Sequence, residues 1–204
     1  MNPKNTCAAH YGFEKYPPQN PAEFELHCQY VRELQPTFIM EIGSRHGRST
    51  IRLAEAAMPQ LHRITCIDLP GAAWGTAGSE QSLRDCLQGL ENRGVETALH
   101  LIDSHGEEAK QLARMFHRNR IDFLFIDGDH SYEGVKQDFE QFLPCMREGG
   151  MIALHDVCGE DRMQSKGVQM GVHRFWKEVQ GEFETRTIQA AGSKLGIGVV
   201  FLEK

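Results

Sequence analysis

Two short segments of this sequence combine carboxylates with imidazoles in a way that suits proton transfer or metal binding. Asp127, Asp129 and His130 lie in the first segment, and His155 and Asp156 form the second. An imidazole with a near-neutral pKa can take the proton of a hydroxyl, which makes His130 a candidate general base. Each segment follows an apolar run that is expected to be a strand, and adjacent strands of a sheet lie about 5 Å apart. Asp127 and Asp156 can then reach a common divalent ion, which would lower the pKa of a bound hydroxyl.

Each of these residues also has an ordinary structural explanation. His130 can cap the following helix or simply be solvated, and Asp129 can be a favourable charge at the helix N-terminus. His155 and Asp156 come directly after an apolar run. Polar residues at the end of a strand have no catalytic or metal-binding role in many proteins. The two segments therefore indicate a functional site only if the fold places them side by side.

A second group of residues is typical of a nucleotide-like cofactor site. Glu41, Gly43 and Gly47 lie in a turn between an apolar run and a helical pattern, and glycines there allow a ligand to approach the backbone closely. The turn lacks the second glycine of the dinucleotide pattern G-x-G-x-x-G. An amino-acid-bearing cofactor fits better, with Glu41 meeting its ammonium and the turn amides its carboxylate. An ordinary strand-to-helix turn is the alternative.

Two further polar positions extend this group. Asp68 follows the second apolar run and is placed to accept both hydroxyls of a ribose, although a simple turn or helix cap explains it as well. Asp103 and Ser104 follow the third run and could contact an adenine edge. Ser104 and Glu107 also have the spacing of a capping box, which is an equally good explanation.

Alternating apolar runs and helical patterns predict the scaffold, an α/β, doubly wound, mostly parallel sheet with helices on both faces. The expected strands are 38–42, 63–67, 98–102, 121–126 and 151–154, followed by a hairpin of 183–188 and 197–202. The expected helices include residues 21–34, 49–58, 83–90, 109–116, 135–142 and 172–179. We expect residues 1–20 to be irregular and 21–204 to form a single domain. Five successive strands end in a polar residue, and ligands bind at the carboxyl ends of such strands.

Composition narrows the class of protein. The 204 residues carry a formal net charge of −6, which argues against nucleic acid as a partner. No apolar run is long enough to span a bilayer, and no signal peptide is apparent, so no membrane association is expected. The six cysteines form no CxxC pair, which favours a reduced, cytoplasmic protein.

With these motifs in this order, the sequence resembles the class I S-adenosylmethionine-dependent methyltransferases. Within that class it is similar to the family of cephalosporin-hydroxylase-like and rhamnosyl O-methyltransferase proteins. The similar segments are 39–50, 121–139 and 144–156, and the Asp127-Gly-Asp-His-Ser-Tyr132 block is the most specific of them. Arg45 stands where other class I enzymes often carry a glycine.

The resemblance implies a fold, a cofactor and a ligand set. It implies a seven-stranded Rossmann-like sheet with an antiparallel last strand, and O-methylation of a hydroxyl on a small molecule or sugar. The implied contacts to S-adenosylmethionine are Glu41, Gly43, Ser44, Gly47, Ser49, Asp68, Asp103, Ser104 and Asp127. The implied metal ligands are Asp127, His155 and Asp156; oxygen ligands suit Mg²⁺, whereas the imidazole suits Mn²⁺ better. We take His130 and Asp127 as the candidate catalytic residues.

Alternative functions come from other classes of protein. Asp127-Gly-Asp129 also fits a metal-dependent nucleotide-sugar transferase, and a non-catalytic protein could keep the cofactor pocket. The acceptor is not readable, because the segments expected to build its pocket, 1–20 and 157–171, carry no diagnostic pattern. A homo-oligomer is an open expectation.

Overall fold

The structure is a computed structural model that describes residues 20–72, 79–117, 120–160 and 169–203. The strands are β1 Phe38–Ile42, β2 Arg63–Asp68, β3 Glu96–Leu101, β4 Ile121–Ile126, β5 Met146–His155, β6 Glu184–Ile188 and β7 Ile197–Phe201. The helices are α1 Pro21–Leu34, α2 Arg48–Ala57, α3 Ser79–Glu91, α4 Glu107–Phe116, α5 Tyr132–Phe142 and α6 Val172–Glu182. Two short 3-10 turns, Pro70–Ala72 and Leu143–Cys145, complete the described elements.

The strands form a seven-stranded sheet in the order β3-β2-β1-β4-β5-β7-β6. Strands β1 to β5 are mutually parallel, and β7 runs antiparallel to both of its neighbours, β5 and β6. The predicted doubly wound sheet, its antiparallel last strand and the tail hairpin are thereby confirmed. The strand order reverses between β1 and β4, which places the switch point of the sheet, where ligands bind in such folds, between these two strands.

The two central strands are enclosed by helices on both faces. Every residue of β1 and β4 is buried. Successive residues point to opposite faces, so that Ile39 packs with Phe24 and Ile51 on one face while Met40 packs with Phe139 on the other. This double burial explains why both strands read as uninterrupted apolar runs in the sequence.

Local signals in the sequence set several helix starts. Asn20 caps α1 by accepting a hydrogen bond from the Ala22 backbone amide at 3.0 Å, and Pro21 opens the helix. Ser131 caps α5 by accepting from the Gly134 amide at 3.0 Å. The helix predicted for residues 21–34 has these bounds in the structure.

The structure corrects two local predictions. Ser104 does not cap a helix: α4 begins after Gly106, without a side-chain cap, because Asp103 Oδ1 accepts from the His105 amide at 2.9 Å and forms a turn first. The fifth strand, expected at 151–154, starts earlier: β5 begins at Met146, so that Gly149 and Gly150 lie inside it. Gly149 has a φ of 69°, and the pairing with β4 shifts between Ile121 and Phe123, which identifies a bulge rather than a turn.

Two properties of the described residues bear on earlier expectations. None of their helices combines the length and the apolar character needed to cross a membrane. The cysteines among them are free thiols: Cys28, Cys66, Cys86, Cys145 and Cys158. Apart from Asn20, the segment 1–20 lies outside the described residues, as does 161–168 of the second segment expected to build the acceptor pocket.

Candidate functional site

A cavity of about 510 Å³ opens at the carboxyl ends of the parallel strands, on both sides of the switch point. Its volume lies in the range of pockets that bind cofactors and small ligands. Ten predicted site residues line it: Gly43, Ser44, Ser49, Asp68, Asp103, Ser104, Asp127, His130, His155 and Asp156. Glu41 and Gly47, also predicted as cofactor contacts, do not line this cavity.

Gly43 is required by the close approach of two strand ends. Its φ is 89°, and a Cβ built on it would overlap the backbone carbonyl of Asp127. The Asp127 amide in turn donates to the Ile42 carbonyl at 2.9 Å, which fixes the end of β4 beside the end of β1. The glycine therefore joins the two halves of the cavity, in addition to leaving room for a ligand.

The turn after Gly43 leads into α2. The Gly47 amide donates to the Ser44 carbonyl at 2.8 Å, and Gly47 adopts a φ of 78° as the N-cap of α2. This tight turn directs Ser44 and Ser49 to the cavity and aims the N-terminus of α2 at it. A helix N-terminus favours an anionic group such as a carboxylate.

Glu41 lies beneath this turn and is fully buried. Its Oε2 accepts a hydrogen bond from the Thr50 hydroxyl, and Cys66 Sγ lies 3.9 Å from the same oxygen. Burial raises the pKa of Glu41 to about 7, against the opposing effect of hydrogen bonds from Ser49, Thr50 and Ser44. In this arrangement Glu41 ties β1 to α2, and its contact with a cofactor ammonium stays a prediction.

Asp68 has a fixed orientation at the cavity wall. Its Oδ1 accepts from the Leu69 amide at 2.7 Å, and its Oδ2 accepts from the Arg45 amide. Arg45 reaches that position with a φ of 48°, a conformation that few residues other than glycine adopt. Burial raises the pKa of Asp68, whereas the two backbone amides lower it. A carboxylate has about four acceptor positions, so two are left for a ligand.

Asp127, His130, His155 and Asp156 form a closed cluster at the other side of the cavity, which we call the His–Asp ring. His130 Nε2 lies 3.1 Å from Asp127 Oδ1, and His130 Nδ1 lies 3.1 Å from Asp156 Oδ2. His155 Nδ1 lies 3.1 Å from Asp127 Oδ1 and 3.0 Å from Asp156 Oδ1. The predicted catalytic and metal-ligating residues thus meet, because β4 and β5 are neighbours in the sheet.

The ring alternates carboxylates with imidazoles, and its electrostatics follow from that. Burial disfavours a charged His130, but Asp127 and Asp156 outweigh it and raise the pKa of His130 to about 10. The pKa of His155 is raised in the same way, mainly by Asp127. Burial opposes the charged carboxylates too, yet the imidazoles lower the pKa of Asp127 and that of Asp156, the latter to about 2. The ring is therefore balanced in charge at neutral pH.

A resident divalent ion at the ring, predicted from the sequence, is not shown by the structure. The donor atoms of Asp127, His155 and Asp156 face one another at ion-pair distances. Among the described residues, no group of three or more His, Cys, Asp or Glu side chains has an arrangement suited to a metal. The predicted Mg²⁺ or Mn²⁺ site is not supported by this geometry, and no step below passes through a metal.

Asp156 occupies a strained backbone position at the end of β5. Its φ is 64°, and only 4% of its surface is exposed. An L-residue in the left-handed region is held there by its surroundings, and such residues concentrate at functional sites. Here the strain turns the carboxylate back towards both imidazoles of the ring.

The cavity also contains residues that the sequence analysis did not assign to the site. Leu195 reaches the cavity from the loop between β6 and β7, and its carbonyl accepts from the Cys158 amide at 2.6 Å. No motif marks Leu195, since only the pairing of β7 with β5 brings that loop to the site. His105 lines the cavity as well, and its position directly after Asp103 and Ser104 is the one signal that could have identified it.

A family model described as a methyltransferase domain matches residues 40–157, more than half of the chain. Two curated relatives are uncharacterized proteins. The chain is 25% identical to protein y4gI of Sinorhizobium fredii over 162 residues, which is 73% of this chain and 16% of that protein. It is 33% identical to protein R132 of Acanthamoeba polyphaga mimivirus over 75 residues, 36% of this chain and 33% of that protein. The chain thus matches a third or less of the length of these relatives.

Solved structures with the same fold include O-methyltransferases. The O-methyltransferase TomG from Streptomyces achromogenes, in complex with SAM, has a TM-score of 0.65 at 21% identity, covering 98% of this chain and 88% of TomG. The O-methyltransferase from Bacillus cereus, in complex with SAH, has a TM-score of 0.65 at 20% identity, with 94% and 87% covered. Cofactor-bound Rv0187 from MTB has a TM-score of 0.66 at 20% identity, with 96% and 88% covered. At these identities the likeness shows the fold.

Proposed function

This chain belongs to the methyltransferase domain family. From that membership and from its cavity, we propose that it transfers the methyl group of S-adenosylmethionine to a hydroxyl oxygen of a small molecule or sugar. The observation that carries the proposal is that one cavity contains the glycine turn, Asp68 and the His–Asp ring. Two solved structures of this fold, TomG and the Bacillus cereus protein, are complexes with SAM and SAH and support the choice of cofactor.

The β1–β2 side of the cavity suits this cofactor residue by residue. Asp68 offers acceptors to the ribose hydroxyls, since its orientation is already fixed by two backbone amides. The N-terminus of α2, with Ser44 and Ser49 beside it, suits the carboxylate of the amino-acid portion. Asp103 and Ser104 line the far end, where the adenine would lie.

The β4–β5 side supplies what the acceptor needs. When bound, S-adenosylmethionine offers a methyl group on a positively charged sulfur, and the acceptor oxygen must meet that carbon in line after losing its proton. We assign this proton to the imidazole of His130, which lines the cavity and can accept it in its neutral form. Asp127 and Asp156 then stabilise the imidazolium that forms, because each lies 3.1 Å from a ring nitrogen of His130.

This assignment has a consequence for pH. Because the pKa of His130 is raised to about 10, only the small neutral fraction can accept a proton near neutral pH. That fraction is roughly one part in a thousand at pH 7. Acceptors whose hydroxyls ionise readily, such as phenols, would therefore react faster than simple alcohols.

Thermal unfolding with S-adenosylhomocysteine tests the proposal. A ligand that binds only the folded state raises its stability by about 2.7 kcal/mol at a hundredfold excess over Kd. We expect a saturable rise for the unchanged protein and for Glu108→Gln, an exposed control on α4. Asp68→Ala should abolish it. Added Mg²⁺ or Mn²⁺ should leave the rise unchanged if the ring carries no metal.

Two results would contradict the proposal. If millimolar S-adenosylhomocysteine leaves the melting temperature unchanged while a nucleotide sugar raises it, the alternative of a sugar transferase replaces the methyltransferase. If S-adenosylhomocysteine binds but no methyl group reaches any acceptor in a broad panel of phenols, alcohols and sugars, the protein is a non-catalytic binder of the cofactor.

A further inference from the structure

A second contact between a histidine and an aspartate lies on the wall of the cavity, away from the His–Asp ring. His105 lines the cavity, with 22% of its side chain exposed. Its Nε2 lies 3.1 Å from the Gly134 carbonyl oxygen and 3.2 Å from Asp138 Oδ1. Asp138 is fully buried on α5, behind the imidazole.

These contacts determine which ring atoms of His105 carry hydrogens. A carbonyl oxygen only accepts, so Nε2 must be a donor. Asp138 Oδ1 lies at ion-pair distance from His105 and raises the pKa of the imidazole to about 9, so His105 is protonated at neutral pH. The second nitrogen, Nδ1, is therefore also a donor. It lies 3.9 Å from Asp103 Oδ1.

The loop that carries His105 is held firmly by α5. Gln137 Nε2 donates to the His105 carbonyl at 3.3 Å, and Gln141 Nε2 donates to the Ser104 carbonyl at 3.0 Å. With Gly134 and Asp138 these residues have the spacing i, i+3, i+4, i+7, so one face of α5 holds the whole loop. Because its surroundings are fixed in this way, the His105 donor has a defined position before any ligand binds.

The part of the cavity near His105 suits a flat heterocycle. Ile67, Leu69 and Ile102 are apolar residues that line the cavity; Ile67 and Leu69 flank Asp68 in sequence, and Ile102 precedes Asp103. A purine attached to a ribose at Asp68 would find apolar contacts for its faces here. At the rim it would meet an imidazole that can only donate, which matches the acceptor nitrogens of a purine.

We propose that His105, held as a donor by Asp138 and Gly134, reads an acceptor nitrogen of the adenine of S-adenosylmethionine and so helps to select the cofactor. This inference rests on the proposed function. Asp138 acts through His105 and is a positioning residue. From the sequence, only Asp103 and Ser104 were expected to contact the adenine.

The test measures the dissociation constants of S-adenosylhomocysteine and of its 1-deaza, 3-deaza and 7-deaza analogues by isothermal titration. Each analogue replaces one acceptor nitrogen by C–H. We expect the unchanged protein to bind one analogue about tenfold more weakly than the parent compound, as the loss of a charge-assisted hydrogen bond predicts. His105→Ala should bind the parent about tenfold more weakly and show no preference against that analogue.

Further variants separate this role from a structural one. His105→Gln retains a donor and should recover part of the preference, whereas Asp138→Asn should reduce it without removing the imidazole. Glu140→Gln, on the exposed side of α5, is the matched control and should behave like the unchanged protein. If methyl transfer is measured, His105→Ala should raise KM for the cofactor and leave kcat within about threefold.

Two results would overturn the inference. Equal ratios of parent to analogue affinity in the unchanged protein and in His105→Ala would show that His105 does not contact the base. If S-adenosylhomocysteine and all three analogues fail to bind the unchanged protein, the proposed function fails, and this inference fails with it.

Discussion

The two sides of the cavity hold their carboxylates in different ways. Asp68, on the β2 side, is bonded by two backbone amides, which cannot change their protonation. Asp127 and Asp156, on the β4–β5 side, are bonded by two imidazoles, which can. A carboxylate fixed by amides suits constant recognition of a ligand, whereas carboxylates around imidazoles suit the movement of a proton. In the proposed function, the first side therefore binds the cofactor and the second carries out the chemistry.

Removal of the imidazole at His130 should have the largest effect on catalysis. We expect His130→Gln to lower kcat by about 10²–10⁴-fold, the usual contribution of a general base, with the Kd of S-adenosylhomocysteine within about threefold. Single-turnover methyl transfer and titration calorimetry measure the two quantities. His100→Gln, a change in a half-buried histidine on β3, is the control. If His130→Gln weakened cofactor binding as much as it lowered kcat, the assignment of binding to one side and chemistry to the other would be contradicted.

The pH profile of the reaction should show the same imidazole. Since the pKa of His130 is raised to about 10, its neutral form increases as the pH rises towards that value. We expect kcat/KM to increase about tenfold per pH unit, and so roughly 100-fold between pH 7 and pH 9, as for a base that is mostly protonated. The acceptor for this measurement should not titrate in that range. A profile that is flat from pH 7 to 9 would exclude His130 as the base.

Gly43 joins the two sides, and its replacement should disturb both. In Gly43→Ala the new methyl group overlaps the Asp127 carbonyl and the φ of 89° becomes strained. We expect a loss of about 2–3 kcal/mol in the free energy of unfolding, measured with urea. Gly181→Ala in α6 is the matched control, because its Cβ meets no atom within 4 Å. That control should gain about 0.5–1 kcal/mol. Equal stability of the two variants would contradict the strand contact.

Much of the scaffold and part of the site could be predicted from the sequence. The bounds of β4 and α1 were predicted correctly, and for β4 the reason is that a doubly buried strand reads as a continuous apolar run. The convergence of Asp127, His130 and Asp156 also follows from the order of the elements. A polar residue after each apolar run can be recognised locally in the sequence. Because parallel strands end at the same edge of the sheet, these residues meet in one site.

The rest depends on contacts that no local pattern contains. The bulge at Gly149 arises from the pairing of β5 with β4, and Leu195 reaches the cavity because β7 pairs with β5. The pairing of His105 with Asp138 joins a loop to a helix 33 residues further on. The predicted Mg²⁺ or Mn²⁺ site is not supported by the structure, and this too could not be known from a local pattern. Ligand types are visible in a sequence, but whether their donor atoms already bind one another is not.

The smallest predicted effect concerns stability and the pair of His105 and Asp138. The pKa of His105 is raised to about 9, chiefly by Asp138, so the pair stabilises the fold below the ordinary pKa of about 6.5, and this contribution is lost as the pH rises through 9. Since His105 is partly solvated, we expect a loss of about 1 kcal/mol between pH 6.5 and pH 9.5. Asp138→Asn should be less stable at pH 6.5 and lose less over this range. An unchanged slope would contradict the ion pair.

A crystal structure of the chain with S-adenosylhomocysteine tests the central claim most directly. The account predicts ribose hydroxyls within hydrogen-bond distance of Asp68, the amino-acid carboxylate at the N-terminus of α2, and the sulfur directed towards the His–Asp ring. Density for the ligand in the cavity with the ribose elsewhere, or no density at saturating concentration, would contradict it.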